Sequence, residues 1–250
     1  MKFIGIITAR YASTRFPGKP LAMLGDMTVI ERVYRRVSSV IPDAWVATDD
    51  ERIAEAVRAF GGNVVMTSTE HRSGTDRCLE AYRNIGSDAD VVINIQGDEP
   101  FIDPLQLQQI MDCFKEPDTR IATLVRPFKP SLGYEALANP NSPKVVFDSN
   151  MNAMLFSRSV IPYFRGVDQQ QWPQKHQYYT HIGMYAYRAE TLAEITRLPQ
   201  SSLELAESLE QLRWLQNGYS IRVGISECPT IGIDTPEDLE AARKFLESQR

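Results

Sequence analysis

Apolar positions along this chain come in blocks that switch between two periods. Residues 3–8 form an unbroken β-favouring run, which predicts a strand buried on both faces of a parallel sheet. Over 28–40, Val29, Ile30, Val33, Val37 and Val40 recur at helical spacing, with Asp26 or Thr28 available as cap. Residues 44–48 read as a second strand. Over 50–60, Ile53, Ala54, Val57 and Phe60 share one helical face, and Gly61-Gly62 stops the helix. A short strand at 63–66, a helix at 74–85, a buried strand at 90–95 and a helix at 104–114 follow. This alternation predicts a doubly wound α/β fold with a mostly parallel sheet and right-handed crossovers. Ligands of such sheets bind at the carboxyl ends of the strands, so the loops after Thr8, Met66 and Ile95 become the candidates.

Beyond Pro127 the texture changes. Prolines 130, 140, 143, 162 and 173 punctuate short strand-like pieces at 144–147, 153–157 and 182–187, which predicts a mixed extension of the sheet. The polar and aromatic stretch 168–179 reads as a mobile surface loop. A helix is expected over 203–217, ended by Gly218, then a strand over 219–226. A closing helix over 236–248 has Asp234 or Thr235 at its cap and Pro236 at its first position. No repeat or linker divides the chain, so one domain spanning 1–250 is expected.

Composition narrows the class of ligand. The chain has 250 residues, 43% hydrophobic and 24% charged, with a net charge of −5. An acidic protein lacks the broad basic surface of a general nucleic-acid binder. No apolar stretch approaches the ~18 residues of a membrane span, and the apolar run at the N-terminus is interrupted at Arg10. Cys78, Cys113 and Cys228 are widely spaced and form no C-x-x-C pair, as expected of inert thiols in a reducing, cytoplasmic compartment.

Against that acidic background the first loop stands out. Lys2, Arg10, Arg15 and Lys19 precede the first carboxylate, Asp26. Arg10, Arg15 and Lys19 are interleaved with Ser13, Thr14 and Gly18, a combination suited to a triphosphate: guanidinium forks, a point charge, hydroxyls and a close-approaching backbone. No Walker A spacing is present. In the second loop, 69–77, Ser73 and Thr75 offer hydroxyls that serve as helix cap, as ligand to a planar polar edge, or both. In the third, NIQGDEP, Asp98 and Glu99 follow an apolar strand directly, either as caps of the next helix or, for Asp98, as a ligand to Mg²⁺. Asp234 is open to the same two readings. His71, His176 and His181 show no zinc-ligand spacing, and His181 precedes the aromatic run IGMYAY, where a substrate role is worth testing.

The motifs ARYASTRFPGKPL, EHRSGTDR, NIQGDEP, LFSRSVIP, HIGMYAYRAE, LEQLRWL and IDTPEDLE, in this order, resemble the 3-deoxy-D-manno-octulosonate (KDO) cytidylyltransferase family over residues 3 to about 243. Two positions depart from the family pattern: I-I-T-A-R replaces the usual I-P-A-R, and Phe16 replaces Leu. The resemblance implies a Rossmann-like sheet of the nucleotide-diphospho-sugar transferase type and the Mg²⁺-dependent reaction of CTP with KDO, giving CMP-KDO and diphosphate for lipopolysaccharide biosynthesis. It implies a nucleotide-binding core at about 1–127 and 218–250, a sugar-binding and dimerisation subregion at about 128–217, and a homodimer. It also implies roles: Arg10, Ser13, Arg15 and Lys19 on the CTP phosphates, Ser73 and Thr75 facing cytosine, and Asp98 and Asp234 on Mg²⁺. Gln96, Arg158, His181, Tyr185 and Glu210 would surround the sugar acid. Arg15, Lys19, Asp98 and Asp234 would carry the chemistry, in which the anomeric hydroxyl attacks the α-phosphorus. Transfer to another acid sugar, such as 8-amino-KDO or a sialic-acid relative, and a non-catalytic nucleotide sensor are the competing readings.

Overall fold

The computed structural model describes residues 1–13, 15–229 and 231–248; Thr14 of the first loop lies outside them. The chain divides into two compact units. The first comprises residues 1–108, 188–196 and 229–250, and the second 109–187 and 197–228.

In the first unit four strands run parallel, in the order Val91–Gln96, Phe3–Ala9, Ala44–Thr48, Val64–Met66. The central strand is buried at Ile4, Ile6 and Ile7, as expected of a strand covered on both faces. Helix Val29–Ser38 buries Val29, Ile30, Val33 and Val37, and Thr28 Oγ1 caps it by accepting from Glu31 N. Helix Glu51–Ala59 buries Ile53, Ala54 and Val57 behind Asp50 as cap, and helix Gly74–Ile85 ends at Gly86 in the left-handed region. From the central strand the chain proceeds to one side, through Ala44–Thr48 and Val64–Met66. It then returns to the opposite side at Val91–Gln96. The direction of winding therefore reverses between Phe3–Ala9 and Val91–Gln96, and their carboxyl ends open the crevice where α/β sheets bind ligands.

Gly97 lets those two ends close up. Its N–H donates to Thr8 O at 3.1 Å, and a Cβ there would lie 2.6 Å from the same oxygen.

In the second unit the sheet is mixed. Strand Ile121–Pro127 pairs in parallel with Ile221–Ile225 and antiparallel with Tyr179–Arg188. Strands Lys144–Phe147 and Ala153–Ser157 form an antiparallel pair. Ile121–Pro127 has no counterpart in the sequence reading, although Ile121, Ala122, Leu124 and Val125 are buried. Two other expectations are corrected. Residues 168–179, read as a surface loop, carry local structure. They form a 3-10 turn, Gln169–Gln171, and helix Trp172–Lys175, and Trp172 and Tyr178 are buried against Phe128 and Leu137. Nor is 203–217 one helix. It divides into Ser202–Glu207 and Gln211–Gln216 at Ser208, whose φ of 50° is left-handed. The break is held from outside: the Glu207 and Ser208 carbonyls accept from Arg158 at 2.5 and 3.2 Å, and the Glu207 carboxylate accepts from Ser157 Oγ at 2.6 Å.

Candidate active site

The cationic loop leaves the central strand at Ala9. Arg10, Ser13, Arg15 and Lys19 line a cavity of about 370 Å³ together with Thr8, Gly74, Arg77, Gln96, Gly97 and Asp98. Six residues singled out in the sequence, from two strand ends, therefore share one crevice. Lys19 is only 8% exposed and begins the 3-10 turn Lys19–Leu21. Its Nζ lies 2.5 Å from Asp98 Oδ2 and 3.3 Å from Asp234 Oδ1, and Arg15 Nη2 lies 3.2 Å from Asp234 Oδ2. Two cations and two carboxylates thus converge from residues 136 positions apart in the chain (98 against 234).

Why these two carboxylates are available is a question of capping. The helix after Pro100, Pro104–Asp112, is started by Asp103, whose Oδ1 accepts from Leu105 N at 2.8 Å. Gln106 Oε1 accepts in turn from Asp103 N. The closing helix Pro236–Ser248 is started by Thr235 and Asp238. Thr235 Oγ1 accepts from Asp238 N, and Asp238 Oδ2 accepts from the N–H groups of Asp234 and Thr235. Neither Asp98 nor Asp234 is spent as a cap, so of the two readings left open by the sequence the cap is excluded. Ile233 N donates to Asp98 O at 2.9 Å, and this contact sets Asp234 beside Asp98. Next to them Glu99 has a pKa pushed up to about 7 by burial and by the Asp98 charge.

Among the described residues no cluster of three or more His, Cys, Asp or Glu side chains forms a ready-made metal cage. The pair Asp98 and Asp234 offers hard oxygen donors close enough for one ammonium nitrogen to reach both. Two carboxylates suit Mg²⁺, which retains water and takes its other ligands from phosphates.

In the second loop Ser73 takes the cap role that the sequence offered. Ser73 Oγ caps helix Gly74–Ile85 by accepting from Asp76 N at 3.1 Å, and Thr75 is buried in the first turn. The residues of this segment on the cavity wall are Gly74 and Arg77. Arg77 was missed in the sequence. It is 1% exposed, its Nη2 lies 2.7 Å from Asp49 Oδ2, and its Nη1 donates to Thr67 Oγ1. Its position four residues after Ser73, on the side of the helix that carries buried Cys78 and Ala81, was the available signal. His71 Nε2 pairs with the Glu80 carboxylate, and the His71 carbonyl accepts from Arg10 Nη1 at 3.5 Å.

Of the five residues assigned to the sugar, Gln96 lines the cavity of the first unit. The other four belong to the second unit. Arg158 donates through Nε, Nη1 and Nη2 to the carbonyls of Glu207, Pro140 and Ser208. His181 Nε2 is 2.9 Å from Thr123 Oγ1, and its ring packs between Phe156 and Tyr185. Although the ring keeps some exposure, burial pushes its pKa down to about 3, so it is neutral near pH 7. Burial likewise raises the Tyr185 pKa well above its ordinary value. Glu210 Oε1 accepts from Arg213 Nη2 at 2.8 Å.

The cytidylyltransferase family profile matches residues 4–221. The 3-deoxy-manno-octulosonate cytidylyltransferase of Phocaeicola vulgatus is 66% identical over 249 residues, covering 100% of this chain and 99% of that relative. The protein of the same name from Bacteroides thetaiotaomicron is 65% identical over 249 residues and covered in full. A solved structure of CMP:2-keto-3-deoxy-manno-octonic acid synthetase complexed with CTP is 39% identical. It superposes with a TM-score of 0.91 over 100% of both chains.

Proposed function

The chain belongs to the 3-deoxy-manno-octulosonate cytidylyltransferase family, and from that premise we propose that it transfers CMP from CTP to 3-deoxy-D-manno-octulosonate and releases diphosphate. The observation that carries the reading is the convergence of Arg15, Lys19 and Asp98 in the crevice where the sheet reverses its winding, with Asp234, outside the cavity lining, paired to both cations. The relative solved with CTP spans the whole chain, which supports the choice of nucleotide.

In this account Arg10, Ser13, Arg15 and Lys19 hold the triphosphate. Their positive charge opposes the charge that grows on the departing diphosphate. Ser73 and Thr75 belong to the base-binding end, where backbone at Gly74 reaches the cavity. Asp98 and Asp234 would hold Mg²⁺, which when bound neutralises phosphate charge and lowers the pKa of the attacking hydroxyl. Lys19, close to both carboxylates, would then turn its charge to the phosphates. Among the described residues the Arg158 guanidinium donates only to main-chain carbonyls, so its charge is the one assigned to the carboxylate of an acid sugar. Gln96, neutral His181, Tyr185 and Glu210 would read the hydroxyls. Positioning and charge neutralisation carry the reaction, and no covalent enzyme intermediate is needed.

The product would feed lipopolysaccharide biosynthesis in the cytoplasm. The free thiols of Cys78, Cys113 and Cys228 suit a reducing compartment, and no helix among the described residues is long and apolar enough to cross a membrane. A homodimer is proposed on the exposed apolar side chains Met154, Leu155 and Leu205 of the second unit. Sedimentation equilibrium tests it, and a monomer at all concentrations would end it. The functional proposal is tested by diphosphate release across four nucleoside triphosphates and a panel of acid sugars, with and without Mg²⁺. CTP with KDO should be the preferred pair. Preference for 8-amino-KDO or a sialic acid would move the substrate, and CTP binding without turnover would make the chain a sensor.

A further inference from the structure

The cationic loop is braced by a residue outside the cavity lining, Tyr11. Tyr11 O accepts from Ser13 N at 3.0 Å and from Gly18 N at 2.9 Å, so one carbonyl closes the turn at both of its ends. The Tyr11 ring then covers Gly18. A Cβ on Gly18 would lie 3.1 Å from ring atoms, and the φ of +73° there is one that only glycine adopts readily. Gly18 in turn caps the 3-10 turn that begins with Lys19, so the ring sets where Lys19 starts.

On Tyr11 lies the guanidinium of Arg52, 3.3 Å from the ring centroid. That guanidinium is fixed as well. Its Nε and Nη2 donate to the two oxygens of Asp50 at 2.9 and 2.6 Å, and Asp50 Oδ1 also accepts from Arg52 N as the cap of helix Glu51–Ala59. The order is therefore Asp50, Arg52, Tyr11, Gly18, Lys19. Neither Arg52 nor Tyr11 lines the cavity. A solvent-exposed arginine with its fork closed by a carboxylate would be an ordinary surface ion pair, were its face not pressed on the ring beneath the loop.

We propose that Arg52 is a positioning residue for CTP, acting through its stack on Tyr11 to hold the turn at Gly18 that presents Lys19. This rests on the reading of loop 10–19 as the triphosphate site. The bracing is present before and during the reaction alike, so its loss weakens CTP binding uniformly: KM rises while kcat stays.

The test is steady-state diphosphate release at saturating KDO and Mg²⁺, with CTP varied. Wild type, Arg52→Ala, Tyr11→Leu, Tyr11→Phe and the Arg52→Ala/Tyr11→Leu pair are compared, with the melting temperature of each. Arg52→Ala should raise the KM for CTP about two- to fivefold, the range of an exposed cation–π contact, with kcat unchanged and the melting temperature unchanged. Tyr11→Leu should do the same, Tyr11→Phe should match wild type, and the pair should be no worse than the worse single change. A wild-type KM in Arg52→Ala, a defect in Tyr11→Phe equal to that of Tyr11→Leu, or multiplied effects in the pair would each overturn the proposal. Absence of turnover in wild type with every acid sugar would instead defeat the assignment of function.

Discussion

Lys19 and Arg158 are both cations assigned to an anionic substrate, and the fold treats them in opposite ways. Lys19, in the first unit, is nearly buried and sits against two carboxylates on loops that follow strands. Arg158, in the second unit, has its guanidinium held by three main-chain carbonyls, and its main-chain N–H donates to the Glu207 carboxylate. Around Lys19 the charges are balanced within the protein and can be redistributed when a phosphate or metal arrives. Around Arg158 the guanidinium is fixed by main-chain carbonyls, while the nearby Glu207 carboxylate takes the Arg158 main-chain N–H at 2.8 Å. The neighbours of Arg158 in the proposed role follow suit: His181 is kept neutral by burial and Tyr185 is kept protonated. Electrostatic rearrangement should thus dominate where the phosphates are proposed to bind, and rigid shape where the sugar is.

Substitutions can break that contrast. The largest effect is expected for Lys19→Met. Turnover should fall about a thousandfold, as for loss of a preorganised donor to developing charge, with the fold retained by circular dichroism. A loss under tenfold would remove Lys19 from the chemistry. Next is Gly97→Ala. Its Cβ would meet Thr8 O at 2.6 Å, so denaturant unfolding should show a loss of about 1–3 kcal/mol along with weakened CTP binding. Unchanged stability would show that the strand ends can part freely.

Arg158→Met should raise the KM for the sugar far more than the KM for CTP. It should also cost about 1–3 kcal/mol of stability by orphaning carbonyl acceptors. Equal effects on both KM values would deny the division of labour between the two cations.

The effect smallest at neutral pH concerns His181. Its folded pKa of about 3 lies below the ordinary 6.5, so the unfolded chain binds the extra proton between those values. Stability is full above about pH 6.5 and is lost as the pH falls toward 3. His181→Gln should flatten that part of the curve of melting temperature against pH. An unaltered curve would mean that the ring is protonated in the fold.

The alternating core was legible because each element carries its own period and stop. Residues 44–48 and 74–85 fall where the pattern puts them, with Ser73 and Gly86 as start and end. What local pattern could not show was set by distant contacts. The helix expected over 203–217 breaks at Ser208 because Arg158 takes the Glu207 and Ser208 carbonyls. The stretch 168–179 looks like a polar loop, yet two aromatic side chains, Trp172 and Tyr178, anchor it. In the site, charge and position after a strand singled out Arg15, Lys19 and Asp98. The choice between cap and cluster for Asp98 and Asp234 needed the caps themselves, Asp103 and the Thr235–Asp238 pair. Arg77 and Gly97 matter through what stands opposite them, Asp49 and Thr8, and no spacing in the sequence announces that.

The measurement that bears most directly on the whole account is diphosphate release from CTP and KDO by the wild-type chain and Asp98→Asn, side by side in Mg²⁺. Wild type should show Mg²⁺-dependent turnover, and the variant about a thousandfold less at an unchanged melting temperature. Equal turnover in the two proteins would contradict the account.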